Sequence, residues 1–243
     1  MTYCVGLSLD RGLVFMSDTR TNAGVDNFST TCKMHTFETP GERLITIMTA
    51  GNLATTQALI SLLEERSKAA ADRDPTILQV PSMFQAARLI GTTLREVIAE
   101  STNEGQMSDA GFQATLIVGG QIKGGPPRLF LVYPEGNFIE ATEDSPFFQI
   151  GETKYGKPIL VRTYDAGMSF SEAIKLLLVS FDSTVKANLS VGLPFDVLTY
   201  EKDSFRVDKR IRIEMDDPMY QSISTGWGDA LRAAFDLLPS YEL

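Results

Sequence analysis

A threonine at position 2, directly behind the initiator methionine, owns a free α-amine once Met1 is removed. Such a residue is nucleophile and general base at once, because a terminal amine titrates at about 7.7–8.0 and is partly neutral near pH 7. The chain holds a single histidine, His35, so it has almost no material for a Ser-His-Asp or Cys-His machine. Met-Thr also opens many proteins that make no chemical use of that residue. The reading therefore depends on what the fold brings to Thr2, and the residue types that would complete such a site are a carboxylate, a cation and a backbone N–H for an oxyanion.

Two strand pairs at the start of the chain are the elements that must do this. Residues 2–9 and 13–20 alternate around Asp10-Arg11-Gly12, which reads as a tight hairpin turn. Pairing Leu9 with Leu13 puts Thr2 opposite Arg20 and Cys4 opposite Asp18, with diagonal neighbours about 7–8 Å apart on one face. A one-residue change in turn length would move Asp18 to the other face. The second pair runs from Thr31 to Glu38 and from Leu44 to Thr49, with Thr39-Pro40-Gly41-Glu42-Arg43 as the turn. Pairing Thr39 with Arg43 sets Lys33 opposite Thr49, one pleat from Gly51. If the Lys33 ammonium lies against Thr2, it favours the alkoxide and lowers the proton affinity of the amine, while Asp18 compensates its burial. The Gly51 N–H is then placed to donate to an oxyanion. Each residue has a plain structural alternative: Lys33 as an edge charge, Asp18 and Arg20 as a solvated ion pair, Gly51 as a turn.

Beyond this start, Asn52 caps a helix reaching about Lys68, and Ser82 caps a second one containing Phe84 to Ile98. Residues 101–109 read as a loop, followed by strands at 112–119, 128–133, 137–142 and 147–150. A short helix is expected across 157–164 and a long one from Phe170 to about Leu189, capped by Ser169. Strands at 195–201 and 205–213 follow, and a last helix from Gly228 to Leu238. Helices come in groups rather than alternating with strands, which predicts an α+β sandwich, sheets packed face to face with helices outside. No repeat or linker divides residues 1–243, so one domain is expected.

Composition narrows the function. A net charge of -9 and a pI near 4.7 argue against nucleic-acid or anionic-lipid partners. No apolar run approaches the ~20 residues of a membrane span, and no signal peptide is visible, so a cytoplasmic protein is expected. Cys4 and Cys32 lack metal-like spacing and read as reduced structural thiols, and His35 as a core or interface residue. Gly119-Gly120 and Gly124-Gly125 are followed by no Gly-Lys-Ser/Thr and read as turns, so neither a metal nor any other cofactor is expected.

Thr2, Ser17-Asp18-Thr19-Arg20-Thr21 after a first hairpin, Lys33 in the next strand and Thr49-Ala50-Gly51 before a helix together resemble the proteasome β-subunits of the N-terminal nucleophile (Ntn) hydrolases. The Met-Thr start, the length and the stretch Gln149 to Pro158 are similar to the bacterial Anbu branch, the ancestral β-subunits. The resemblance implies a four-layer αββα sandwich and a threonine-type endopeptidase working in a homo-oligomeric ring or lock-washer helix. It implies Thr2 as nucleophile and base, Asp18 and Lys33 as its activating pair, Arg20 as their ion-pair support and Gly51 as oxyanion donor. Thr21, Thr31, Thr49 and Leu53 fall where the family lines its primary specificity pocket. Two departures stand out. Glu152 follows Gly151 where the family has a proton-shuttling serine, which makes Glu152 a candidate relay or a block. The family's aspartate and serine near the end of the long helix have no clean match in Asn188-Leu189-Ser190-Val191-Gly192.

Three functions fit these residues: hydrolysis of peptide or unfolded-protein substrates, a peptide-binding or assembly subunit with weak or no catalysis, and an amidase on a small molecule. Whether an ATPase partners the chain does not follow from the residues.

Overall fold

The computed structural model describes residues 2–22, 28–68, 75–103 and 111–242. In chain order, strands β1 (Tyr3–Leu9), β2 (Gly12–Asp18), β3 (Arg20–Asn22), β4 (Phe28–Thr30), β5 (Met34–Thr39) and β6 (Arg43–Gly51) precede helices α1 (Leu53–Lys68) and α2 (Met83–Asn103). Then come β7 (Ala114–Ile122), β8 (Arg128–Val132), β9 (Phe138–Glu140) and β10 (Phe147–Gly151), helices α3 (Lys157–Thr163) and α4 (Phe170–Ala187), strands β11 (Phe195–Glu201) and β12 (Lys209–Ile213), and helix α5 (Pro218–Asp236). One five-stranded sheet has the order β10-β1-β2-β11-β12 and the other β5-β6-β7-β8-β9, while β3 and β4 form a separate ribbon.

Alternation along each strand sorts the apolar side chains into three layers. Cys4, Leu13, Phe15, Met48, Ile117 and Leu198 fill the space between the sheets. Val5, Leu7, Val14 and Met16 point the other way and pack with Leu160, Leu177 and Phe181 of α3 and α4. Ile45, Ile47, Leu116 and Val118 pack with Leu59, Leu63, Ala87 and Ile90 of α1 and α2. The result is the αββα sandwich expected from the grouping of helices.

The hairpins place the site, and the first is one residue tighter than expected. Leu9 pairs with Gly12 and Cys4 with Ser17, so Asp10 and Arg11 alone make the turn and Cys4 does not oppose Asp18. Tyr3 comes level with Asp18 instead. The reason is Gly12, which is a ladder residue at φ 148°, seated where a Cβ would collide with the Tyr200 carbonyl of the neighbouring β11. The second hairpin pairs Thr39 with Arg43 and Met34 with Met48, and beyond them the Thr49 N–H donates to the Lys33 carbonyl at 3.0 Å.

Other boundaries also move. Regular pairing of β5 starts at Met34 rather than Thr31, because the Thr31 N–H turns to the Thr19 carbonyl at 2.8 Å. Helix α2 runs on through 101–103, and 104–109 of the expected loop lie outside the described residues. Strand β12 begins at Lys209 because Asp203 and Phe205, at φ 66° and 48°, keep the preceding segment in a turn. Helix α5 begins at Pro218, ten residues before the expected start. Asp217 caps it by accepting from the Tyr220 N–H, and packing of Tyr220 against Phe195 carries the helix through Gly226 and Gly228, which in isolation read as breaks.

His35 on β5 is half-buried, with Glu64, Arg210 and the Cys32 backbone nearby. Burial holds its pKa below the ordinary value. The folded chain therefore resists the proton that an unfolded histidine takes up at about pH 6.5, so its contribution to stability is present above that pH and is lost as pH falls below it toward the depressed folded value. Between pH 7 and 5 the Tm of the parent should fall further than that of His35→Gln at equal protein concentration. Parallel pH dependences would refute this.

Candidate active site

Thr2 lies just ahead of β1 and is half-buried. Its carbonyl accepts from the Glu152 N–H at 2.7 Å, extending the ladder in which Tyr3 pairs with Gly151. Gly151 at φ 84° lies so close beneath that a Cβ there would strike the Thr2 carbonyl, so the residue must be glycine. Two successive backbone contacts thus fix where Thr2 sits.

Asp18, fully buried at the end of β2, organises what lies beside it. Its Oδ1 accepts from the Tyr3 N–H at 2.9 Å and from the Lys33 ammonium at 2.7 Å, and its Oδ2 from the Gly192 N–H at 3.4 Å. Lys33, 5% exposed, also donates to the Arg20 carbonyl at 2.7 Å. One carboxylate oxygen therefore joins the ammonium to the backbone of the residue following Thr2. Burial pushes the Asp18 carboxyl above the usual carboxylate range, against the pull of Lys33 and the two N–H groups. Cys4 packs against this spot with its thiol 3.8 Å from the Thr49 carbonyl, and burial raises its pKa far above neutrality, so it stays a protonated thiol rather than a rival nucleophile.

The adjoining sheet supplies the other wall. Thr49 is buried and bonded through its N–H to Lys33. Since backbone N–H groups two apart on a strand point the same way, the Gly51 N–H projects on the Thr49 side, beyond the last β5–β6 bond. Asn52 starts α1 immediately afterwards, its Oδ1 accepting from the Thr55 N–H at 3.0 Å. Leu53 is the first helical residue and is 36% exposed, while Thr21 on β3 and Thr31 before β5 are half-buried.

Segment 188–192 closes the arrangement from far along the chain. The Arg20 guanidinium donates to the Leu189 carbonyl at 2.9 Å and packs over Gly192, while its backbone carbonyl is what meets Lys33. Asn188 donates to Glu152 Oε2 at 3.1 Å and accepts from the Ser190 N–H at 3.0 Å. Tyr3 was not singled out from the sequence as a site residue, and Asn188 and Gly192 only as the ends of a segment without a clean match to the β-subunit pattern. Two of them act through backbone N–H groups, which residue type does not reveal, and Asn188 is remote in sequence from Glu152. Among the described residues no group of three His, Cys, Asp or Glu side chains converges as a metal site, and no helix is long and apolar enough to cross a membrane.

Two face-packed sheets between helical layers, with the first strand starting beside a buried Asp–Lys couple, make a sandwich of the proteasome β-subunit type. The chain belongs to the proteasome subunit family, whose family model matches residues 2–198. Solved structures similar to it include Anbu proteins: one from Hyphomicrobium sp. strain MC1 at 50% identity and one, described as the ancestral β-subunit, from Yersinia bercovieri at 48%, each with TM-score 0.91 and full coverage of both chains. A third, the helical assembly of the Anbu complex from Pseudomonas aeruginosa, is 46% identical over 99% of this chain and 98% of its own, with TM-score 0.91. No curated protein sequence matches significantly.

Proposed function

We propose that this chain is a threonine endopeptidase that acts on peptides or unfolded segments after removal of Met1. The observation carrying this reading is the Lys33–Asp18 couple, 2.7 Å apart, nearly water-free and tied through Asp18 to the Tyr3 N–H. A buried ion pair is a costly way to hold a sheet together, so its position next to the one residue able to be both nucleophile and base favours chemistry over structure. Thr2 Oγ attacks the scissile carbonyl carbon while the α-amine takes the hydroxyl proton, and the Lys33 ammonium stabilises the forming alkoxide. The Gly51 N–H receives the oxyanion. The amine returns the proton to the leaving nitrogen as the C–N bond breaks, leaving an ester on Thr2 that water hydrolyses. Arg20 steadies segment 188–192 over the pair. Thr21, Thr31, Thr49 and Leu53 form an unspecialised cleft for the substrate side chain.

The test is intact-mass analysis of protein treated with a threonine-reactive electrophile. Loss of one methionine and a single adduct mapped to Thr2 support the reading, and an intact Met1 with no adduct would leave an assembly subunit without catalysis. Residues 1–243 are read as one domain of a cytoplasmic protein, where Cys4 and Cys32 stay reduced.

Helix α5 offers a surface for self-association. Tyr220 anchors its first turn to Asp182 of α4, but Leu231 and Phe235 farther along are 50% and 75% exposed, and Leu238 66%. Leu231 and Phe235 are four apart on one side of α5 and Leu238 follows just beyond its end, an apolar surface suited to an identical subunit, and the Pseudomonas aeruginosa relative is described as a helical assembly. Leu231→Asp with Phe235→Asp should shift the sedimentation profile to smaller species. An unchanged profile would remove α5 from the contact.

A further inference from the structure

From the β1–β10 register we infer that Glu152 is the anionic partner of the Thr2 α-amine, held in place by Asn188, and sets the pH at which that amine gives up its proton. The inference rests on the reading of Thr2 as an N-terminal nucleophile. The strand pairing runs from Leu7 with Phe147 to Tyr3 with Gly151, and one step beyond it the Glu152 N–H donates to the Thr2 carbonyl at 2.7 Å. That bond sets the main chains of the two residues side by side, so the Glu152 side chain springs from a point one hydrogen bond away from Thr2. The Glu152 carboxylate is thus within a side chain's reach of the atoms that react.

It is also oriented. Oε2 accepts from Asn188 at 3.1 Å, and Asn188 is itself fixed by the Ser190 N–H. Oε1 takes one long bond, 3.5 Å, from the Lys154 N–H, which leaves acceptor capacity on a group with about four lone-pair sites. The surrounding charges come from every adjacent element. Asp18 of β2 and Lys33 ahead of β5 neutralise each other, as do Asp182 and Lys186 on α4. Arg20 is seated on Gly192, Lys154 is exposed, and among the described residues Glu152 makes no ion pair. An ammonium formed at Thr2 would find Glu152 as its neighbouring carboxylate. Lys33 lowers the amine's proton affinity and Glu152 raises it, so the two set the working pH between them.

Glu152→Gln tests this, since it keeps the backbone N–H and an oxygen for Asn188 while removing the charge. Two readouts are needed on full-length protein that starts at Thr2. The α-amine's proton affinity is read directly from the pH dependence of its acylation by acetic anhydride, followed by peptide mass spectrometry, and the acidic limb of kcat/KM is read on a peptide substrate. Both should move about one pH unit lower in Glu152→Gln. Asn188→Ala should move them in the same direction by less, and Glu152→Asp should keep most of the parent value. An amine that titrates unchanged in Glu152→Gln overturns the inference. The acylation readout needs no turnover, so a Thr2 that proves not to be the nucleophile would show in the kinetics while the amine result still decides the role of Glu152.

Discussion

Thr2→Ala should lower peptide hydrolysis by at least about a thousandfold and abolish the electrophile adduct, with the sedimentation profile and thermal unfolding unchanged. The size of the loss follows from the site having no substitute. Cys4 is a buried, protonated thiol, and His35 sits half-buried on β5 near Glu64 of α1 and Arg210 of β12. Removing Oγ leaves the amine, the ammonium and the oxyanion donor, which can bind and polarise a carbonyl but cannot form the ester. Thr2→Ser should retain part of the activity because its hydroxyl and amine stand in the same relation. Hydrolysis undiminished in Thr2→Ala would refute the proposed function, whereas hydrolysis lost only together with folding would show that the variant had been misread.

Lys33→Met should abolish activity to a similar degree and also destabilise the fold by roughly 3–5 kcal/mol, because it strands the Asp18 carboxylate without its cation. The two remaining donors to Asp18, from Tyr3 and Gly192, are neutral N–H groups and cannot match an ammonium at 2.7 Å. The raised proton affinity of Asp18 in the parent already marks the strain of burial, and without Lys33 the carboxyl should take up a proton at still higher pH. Adding Asp18→Asn should restore much of the stability, since the charge is gone, but none of the activity. Denaturant unfolding at fixed protein concentration measures the stability, and the double-mutant comparison separates the structural from the chemical role. If Lys33→Met keeps its hydrolysis, the ammonium has no part in activating Thr2. Recovery of activity in the double variant would say the same of the pair.

How much of this was legible beforehand depended on the range of the interaction. Asn52 and Ser82 as helix caps and the Thr39–Arg43 turn were readable, because each rests on residues a few positions apart. The start of α5 was not. Gly226 and Gly228 weaken a helix in isolation, and only the packing of Tyr220 onto the sheet-facing layer overrides them. Turn length in the first hairpin was likewise undecidable from Asp10-Arg11-Gly12, since three turn-forming residues fit a loop of two or three. The approach of β11, nearly two hundred residues on, decides that Gly12 belongs to the strand.

The sequence alone therefore determined the ingredients: a threonine ready to become terminal, a carboxylate and a lysine on neighbouring hairpins, and sheets with helices outside. Tertiary structure decided how they meet. Asp18 reaches the Tyr3 N–H rather than the Cys4 face, and Asn188 and Gly192 arrive from beyond α4 to hold Glu152 and Asp18. Side-chain alternation and turn propensity are local and can be read along the chain, but a ladder's register and a backbone donor's target are set by strands and loops that become neighbours only when the two sheets close on each other.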